Sequence, residues 1–235
     1  MPPGRMFSTR PPESRCIIHR PDTDRVYVPK HFAAPSDAAV AELLARHGAA
    51  DLITATDSGL LATLLPFSYD PDRGERGALL GHVARNNDQW RRPAIGPALV
   101  IVRGPDAYVS PTWYASKAEH GRVVPTWNYI TAHVYGDLIV HDDVDWLSAL
   151  VRRLTEKHES GMTPQWSVDD APEPYIAGQL RAIVGLELAI TRVEPKWKLS
   201  QNRSAADAEG VVTALQAGTP AEQAVGAQMH RLPRR

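Results

Sequence analysis

Two rhythms of apolar and polar positions run along this chain. A period near 3.6 appears after Ser36, where Val40, Leu43, Leu44 and His47 share one helical face. Ser36 suits an N-cap, and Gly48 suits the position just past the helix end. The period then shortens to two. "LITATDSGLLATLLPFSYD" predicts two strands around Asp57, Ser58 and Gly59, and "ALLGHVA" a third. "PALVIVRG" predicts a fourth and "DAYVSP" a fifth, with "GPD" as a tight link. In "VVPTWNYITAHVYGDLIVHD", alternation puts Trp127, Tyr129, Thr131, His133 and Tyr135 on one strand face. Ile130, Ala132 and Val134 take the other face and read as core. The aromatic and polar face reads as a subunit interface or a cofactor wall.

The helical period returns from about Asp143, with an apolar stripe of Trp146, Leu147, Leu150, Val151 and Leu154. "PEPYIAGQLRAIVG" predicts another helix, stopped by Gly185, and "LELAITRVEPKWKL" a late strand with Leu186, Leu188 and Ile190 in alternation. Two helices close the chain. Ser204 can cap the first, and Thr219, Pro220 and Glu222 form a capping box with Pro at the first helical position for the second. Short strands, peripheral helices and a late returning strand predict an α+β architecture: an antiparallel barrel with helical additions. The βαβ rhythm and glycine fingerprint of a dinucleotide-binding domain are missing.

Composition narrows the partners. The chain has 235 residues, 43% of them hydrophobic, enough for a sizeable core. Its net charge of −1 leaves no broad basic footprint for nucleic acid. No apolar run reaches the length of a membrane span, and the N-terminus has no apolar signal core. The single Cys16 cannot form an internal disulfide, and a reducing cytoplasm is the simplest compartment. Residues 1–25, rich in Pro, Arg and Ser, read as an arm or tail.

No nucleophile elbow, phosphate loop, zincin motif or cysteine cluster appears. Three stretches carry candidate chemistry. "GHVARNNDQW" sets His82, Arg85 and Asn86 at a strand end. Either these close a turn, or His82 ligates a haem iron and Arg85 pairs with a propionate or phosphate. "KWKLSQNRS" places Lys198, Gln201, Asn202 and Arg203 before a helix N-terminus, a favourable setting for an anion or simply a solvated loop. Trp113, Tyr114, Trp127 and Tyr129 could line a flat ligand or bury area at a dimer interface.

Together "YVPKHF", "GHVARNNDQW", "GPDAYVSPTWY", "VVPTWNYITAHVYG" and "LRAIVGLELAITRVEPKWKLSQNRS", in that order, resemble the PaiB family, often named FMN-binding negative transcriptional regulators. The resemblance covers roughly Val26 to Gly218, which sets residues 26–218 as one domain and residues 219–235 as a terminal helix. It implies an FMN-binding split barrel, similar to pyridoxamine phosphate oxidases, that dimerises with its cofactor sites between subunits. One departure stands out: where members carry His in "ATHLP", this chain reads "ATLLP", with Leu64 at that place.

A branch that resembles PaiB proteins, the piperazate synthases, uses haem b and closes N5-hydroxy-L-ornithine into L-piperazic acid. On that resemblance His82 is the axial iron ligand, and Arg85 and Arg203 are propionate partners. Asn86, Trp113, Trp127, Gln201 and Asn202 complete the cofactor wall. Lys198 or His133 is the base that frees the α-amine, and Thr126 or Tyr129 the donor near the leaving oxygen. The expected partners are a second copy of the chain and a small amino-acid substrate, with no membrane and no direct DNA contact. The alternatives are a PaiB-type regulator binding FMN, or a flavin oxidoreductase of the split-barrel class.

Overall fold

The computed structural model describes residues 25–232; the expectations for the N-terminal arm and for Cys16 lie outside them. Six antiparallel strands close into a barrel: β1 (Ala49–Thr56), β2 (Gly59–Asp70), β3 (Ala78–Ala84), β4 (Ala98–Val109), β5 (Thr126–His141) and β6 (Ile183–Lys198). Their order around the barrel is β1-β2-β3-β6-β5-β4. Side chains alternate between the barrel interior and its outside. Leu52, Phe67, Leu79, Val100, Val102, Val134, Leu186 and Leu188 fill the interior and are fully buried. Each such side chain contributes about 1.5–3 kcal/mol when removed from water.

Six helices surround the barrel: α1 (Asp37–Arg46), α2 (Ser116–His120), α3 (Val144–Glu159), α4 (Glu173–Arg181), α5 (Ala205–Gln216) and α6 (Pro220–Arg231). The caps read from sequence form: Ser36 accepts from Ala39 N and Ser204 from Asp207 N, and Thr219 and Glu222 make a reciprocal capping box. Asp143, not foreseen as a cap, accepts from Trp146 N. Trp146, Leu150 and Leu154 of α3 pack on Ala78 and Leu80 outside β3. α5 and α6 build a second core, where Val211, Leu215 and Val225 meet Ile130, Trp197 and Leu199.

Three local expectations change. "PALVIVRG" and "DAYVSP" are one strand, β4, interrupted by a bulge between Arg103 and Asp106. Gly104 and Pro105 mark that bulge; no reversal occurs, because both halves pair antiparallel with β5. The helix before Gly185 ends at Arg181, and Gly185 lies inside β6 between His82 and His141. A Cβ there would collide with the Trp146 indole, so glycine serves close packing and not helix termination. Gly48 follows α1 without a left-handed turn, since His47 ends the helix in extended backbone.

Candidate functional site

The register of the strands lays out one continuous outer face. Asp51, Ile101, His133 and Glu194 stand side by side on β1, β4, β5 and β6. The next row is Ile53, Leu99, Tyr135 and Arg192, and β2 extends the face with Leu60 and Leu64. Leu60 is 76% exposed and Leu64 is 65% exposed. Trp127, Tyr129, Thr131, His133 and Tyr135 all point outward, as their alternation predicts, while Asn128, Ile130, Ala132 and Val134 are buried. Trp127 packs edge-on to Tyr108, and its Nε1 donates to Asp106 Oδ1 at 2.8 Å.

At one end of this face β6 runs out into a cationic loop. Lys198 lies opposite Tyr129, and Lys196 opposite Thr131. The Lys198 ammonium donates to Thr126 Oγ1 at 2.5 Å and to the Trp127 carbonyl at 2.6 Å, and it stands over the rings of Phe32 and Tyr129. Lys196 donates to the Tyr27 carbonyl, and Arg203 stacks on Tyr114. No carboxylate among the described residues lies within 4.0 Å of Lys196, Lys198 or Arg203. Burial and the charges of Lys196 and Arg203 lower the pKa of Lys198.

The loop is built to hold its shape. Ser200 is buried and adopts a left-handed backbone, φ 65°, costly for a residue with a side chain. Its hydroxyl donates to Asn128 Oδ1, and Asn128, wholly buried, donates to the Met229 sulfur. The Gln201 carboxamide closes the loop on itself, accepting from Leu199 N and donating to the Trp197 carbonyl. Thr126, Asn128, Lys198, Asn202 and Arg203 line a small cavity of about 140 Å³. A second cavity of about 460 Å³ shares Ser200 and Arg203 with it. Cationic donors with no carboxylate within 4.0 Å, set around a small hollow, can receive an anion.

"GHVARNNDQW" sits at the opposite end of β6, where His82 pairs with Gly185. The Arg85 guanidinium is committed: it makes two bonds to Asp142, at 2.9 and 2.5 Å, and donates to the Arg181 and Ile183 carbonyls. Asn87 caps a short 3-10 turn, Asp88–Trp90, and buried Gln89 donates to the Leu52 carbonyl and Thr54. Trp90 Nε1 returns to the Arg85 carbonyl. Asn86 lies exposed on the turn. His82 Nδ1 is buried without a hydrogen-bond partner, contrary to the carbonyl or carboxylate expected of an iron ligand, and burial lowers the His82 pKa. Close by, His141 stacks on Trp146 and shares Glu187 with Arg73.

The structure therefore gathers Lys198, Thr126, Tyr129, Trp127, Asn202 and Arg203 into one neighbourhood. Gln201 belongs to it as a loop brace, and Trp113 packs under α5 beside Tyr114. His82, Arg85 and Asn86 lie apart. His133 stands between the two, on the outer face opposite Glu194; burial and Lys196 lower its pKa, with Glu194 opposing. Lys196, Phe32 and Asn128 were not among the predicted site residues. The Lys-x-Lys spacing that puts Lys196 and Lys198 on one strand face was the readable signal. Among the described residues no group of three or more His, Cys, Asp or Glu is placed to hold a metal, and no helix is long and apolar enough to cross a membrane.

Residues 26–192 match the family described as "Putative FMN-binding domain". The protease synthase and sporulation protein PAI 2 of Bacillus subtilis is 29% identical over 192 residues, 81% of this chain and 89% of that protein. Among solved structures, the flavocytochrome Anf3 of Azotobacter vinelandii superimposes with a TM-score of 0.53 at 15% identity, covering 74% of each chain. A conserved hypothetical protein of Mycobacterium tuberculosis does so with a TM-score of 0.53 at 11% identity, covering 76% of this chain and 94% of its own. At these identities the two structures bear on the fold alone.

Proposed function

We propose a cofactor and a place for it in this chain, which belongs to the PaiB-like family of FMN-binding domains. The chain holds FMN, with the phosphate on Lys198, Arg203, Asn202 and Thr126 and the flat ring against the outer face at Trp127 and Tyr129. The observation that carries this reading is the pair of cations, Lys198 and Arg203, lining the small cavity, with Lys196 beside Lys198 and no carboxylate within 4.0 Å of the three among the described residues. A phosphate supplies the missing charge and accepts several donors at once. Bound there, the flavin supplies hydride or electron transfer. The protein's own residues fix the phosphate, offer an aromatic wall and keep Lys198 in place through Thr126.

The working form is a homodimer. Leu60, Leu64, Ile53, Leu99 and Ile101 make an apolar surface continuous with Tyr135 and His133, and a second copy laid on that surface would cover both it and one side of the flavin. Such a protein is an oxidoreductase or a flavin-dependent regulator.

A second reading has one observation in its favour. Burial, with Glu194 opposing, lowers the pKa of His133 on the same outer face, which favours the neutral imidazole that an iron ligand must be. Haem b would then replace FMN, its propionates taking the phosphate's place on Lys198 and Arg203. The ligand role passes from His82, at the far end of β6, to His133, which shares the outer strand face with Tyr129 and the β6 residues leading to Lys198. Haem there would supply a Lewis acid for the dehydrative closure of N5-hydroxy-L-ornithine, with Lys198 as the base of lowered pKa and Thr126 as a neighbouring donor.

The absorption spectrum of the full-length protein, purified from cells and then titrated separately with FMN and with haem, tests both. Flavin bands perturbed on binding, with no Soret band, support the first reading. A Soret band that His133→Ala shifts and His82→Ala leaves alone replaces it with the second. Binding of neither cofactor sinks both.

A further inference from the structure

The larger cavity beside the anion loop has a construction of its own. Its floor is apolar: Leu199, Val212 and Met229 are buried there, with Ala208 and Leu232 along the sides. Its mouth carries Lys30, His31 and Arg203, and no Asp or Glu lines it. Lys30 and Arg203 have no carboxylate within 4.0 Å among the described residues; Asp207 attracts Arg203 from farther off but is bonded to Ser116, and Glu42 of α1 is taken by Arg46 and Arg231. An apolar slot that ends in cations without a direct ion pair selects for one chemistry: an apolar body with an anionic head. A neutral apolar molecule would fill the floor but leave the cations unmet. A small inorganic anion would meet the cations but leave the floor wet.

We propose that this cavity is the substrate subsite of the cofactor site, and that its substrate class is a medium-sized apolar carboxylate. The inference rests on the reading that FMN phosphate occupies the smaller cavity. Arg203 borders both cavities, so the carboxylate and the phosphate sit on either side of one guanidinium, which also stacks on Tyr114. The volume of about 460 Å³ leaves room for a chain or ring system well beyond the carboxylate itself. Ser200, held left-handed and tied to Asn128, forms part of the wall between them, so the partition is rigid.

Calorimetry of the full-length protein with octanoate, octanol and FMN separates the possibilities. Octanoate should bind, with and without FMN present, and octanol at least about tenfold more weakly, since a charge-assisted contact is lost. Lys30→Ala should bring octanoate several-fold towards octanol. Ala208→Phe, which fills the slot from α5, should abolish octanoate binding. Both variants should leave FMN affinity unchanged, whereas Lys198→Ala should weaken FMN about tenfold and keep octanoate. Equal binding of octanoate and octanol overturns the proposal, as does an Ala208→Phe protein that folds and still binds octanoate. Displacement of octanoate by FMN overturns it differently, by giving the slot to the cofactor. Octanoate binding without any FMN binding removes the flavin reading and leaves the carboxylate site standing.

Discussion

The two ends of β6 carry equally polar sequences and do opposite things with them. At the Gly185 end the guanidinium of Arg85 grips Asp142 and two carbonyls, and Arg73 and His141 share Glu187. At the Lys198 end Lys196, Lys198 and Arg203 hydrogen-bond or stack on carbonyls, a hydroxyl and aromatic faces, and the one carboxylate that attracts Arg203, Asp207, forms no ion pair with it within 4.0 Å and is bonded to Ser116. Charges that find opposite charges within the chain fasten the fold. Charges that find none carry a desolvation cost that a ligand can relieve. "GHVARNNDQW" and "KWKLSQNRS" look alike as strings of donors, and only the partners tell them apart.

Mutations at the first end should therefore show in stability. The largest effect is expected from Gly185→Ala, whose Cβ drives into the Trp146 indole. Overpacking of this kind costs roughly 3 kcal/mol, and urea unfolding should report it. A wild-type-like midpoint would mean that α3 shifts freely and that Trp146 is not packed against Gly185 as described.

Next comes a contrast in pH. His47 is buried, and burial with the nearby Lys157 lowers its pKa from 6.5 to about 4. The unfolded chain binds this proton below pH 6.5 and the folded chain only near pH 4, so stability falls as pH drops across that window. The loss between pH 7 and pH 4.5 should be on the order of 2 kcal/mol, and His47→Gln should remove it. Denaturant titrations at the two pH values decide this. Lys198 works in the other direction. Its lowered pKa means that it loses its proton at lower pH than an ordinary lysine, so phosphate affinity should fall as pH rises, with the fold unaffected. A pH profile of FMN binding that is flat on the alkaline side would contradict a charged Lys198 at the site.

The smallest effect is expected from Arg85→Ala. Its pair with Asp142 is solvent-exposed, so the melting temperature should drop only slightly and ligand binding should not change. A loss of cofactor on this substitution would return the strand end to the candidate site.

The barrel was legible because period-two alternation and capping residues act locally. The outward set from Trp127 to Tyr135 and the caps at Ser36, Ser204 and Thr219 follow from that alone. Two positions misled for a physical reason. A glycine ends a helix or admits a close neighbour, and Gly185 does the second because Trp146 arrives from α3, a contact no local pattern encodes. "GPD" reads equally as a turn or a bulge until both flanking segments are seen to pair with β5. The site was half legible. Lys198, Arg203 and Asn202 announce themselves as donors, but Phe32 and Asn128 join them only through the fold. Arg85 looked like a ligand contact because Asp142, fifty-seven residues away in sequence, cannot be paired with it by eye.

The central claim is that the unpaired cations at the end of β6 anchor the cofactor's phosphate. It is tested most directly by titrating FMN into the wild type, Lys198→Ala and Arg85→Ala while following flavin fluorescence, with riboflavin as the ligand that lacks the phosphate. FMN should bind the wild type and Arg85→Ala alike and riboflavin much more weakly. Lys198→Ala should lose about tenfold in FMN affinity, the worth of one charge-assisted contact, and should treat FMN and riboflavin nearly equally. Wild-type protein that fails to distinguish FMN from riboflavin, or Lys198→Ala that still does so fully, would contradict the claim.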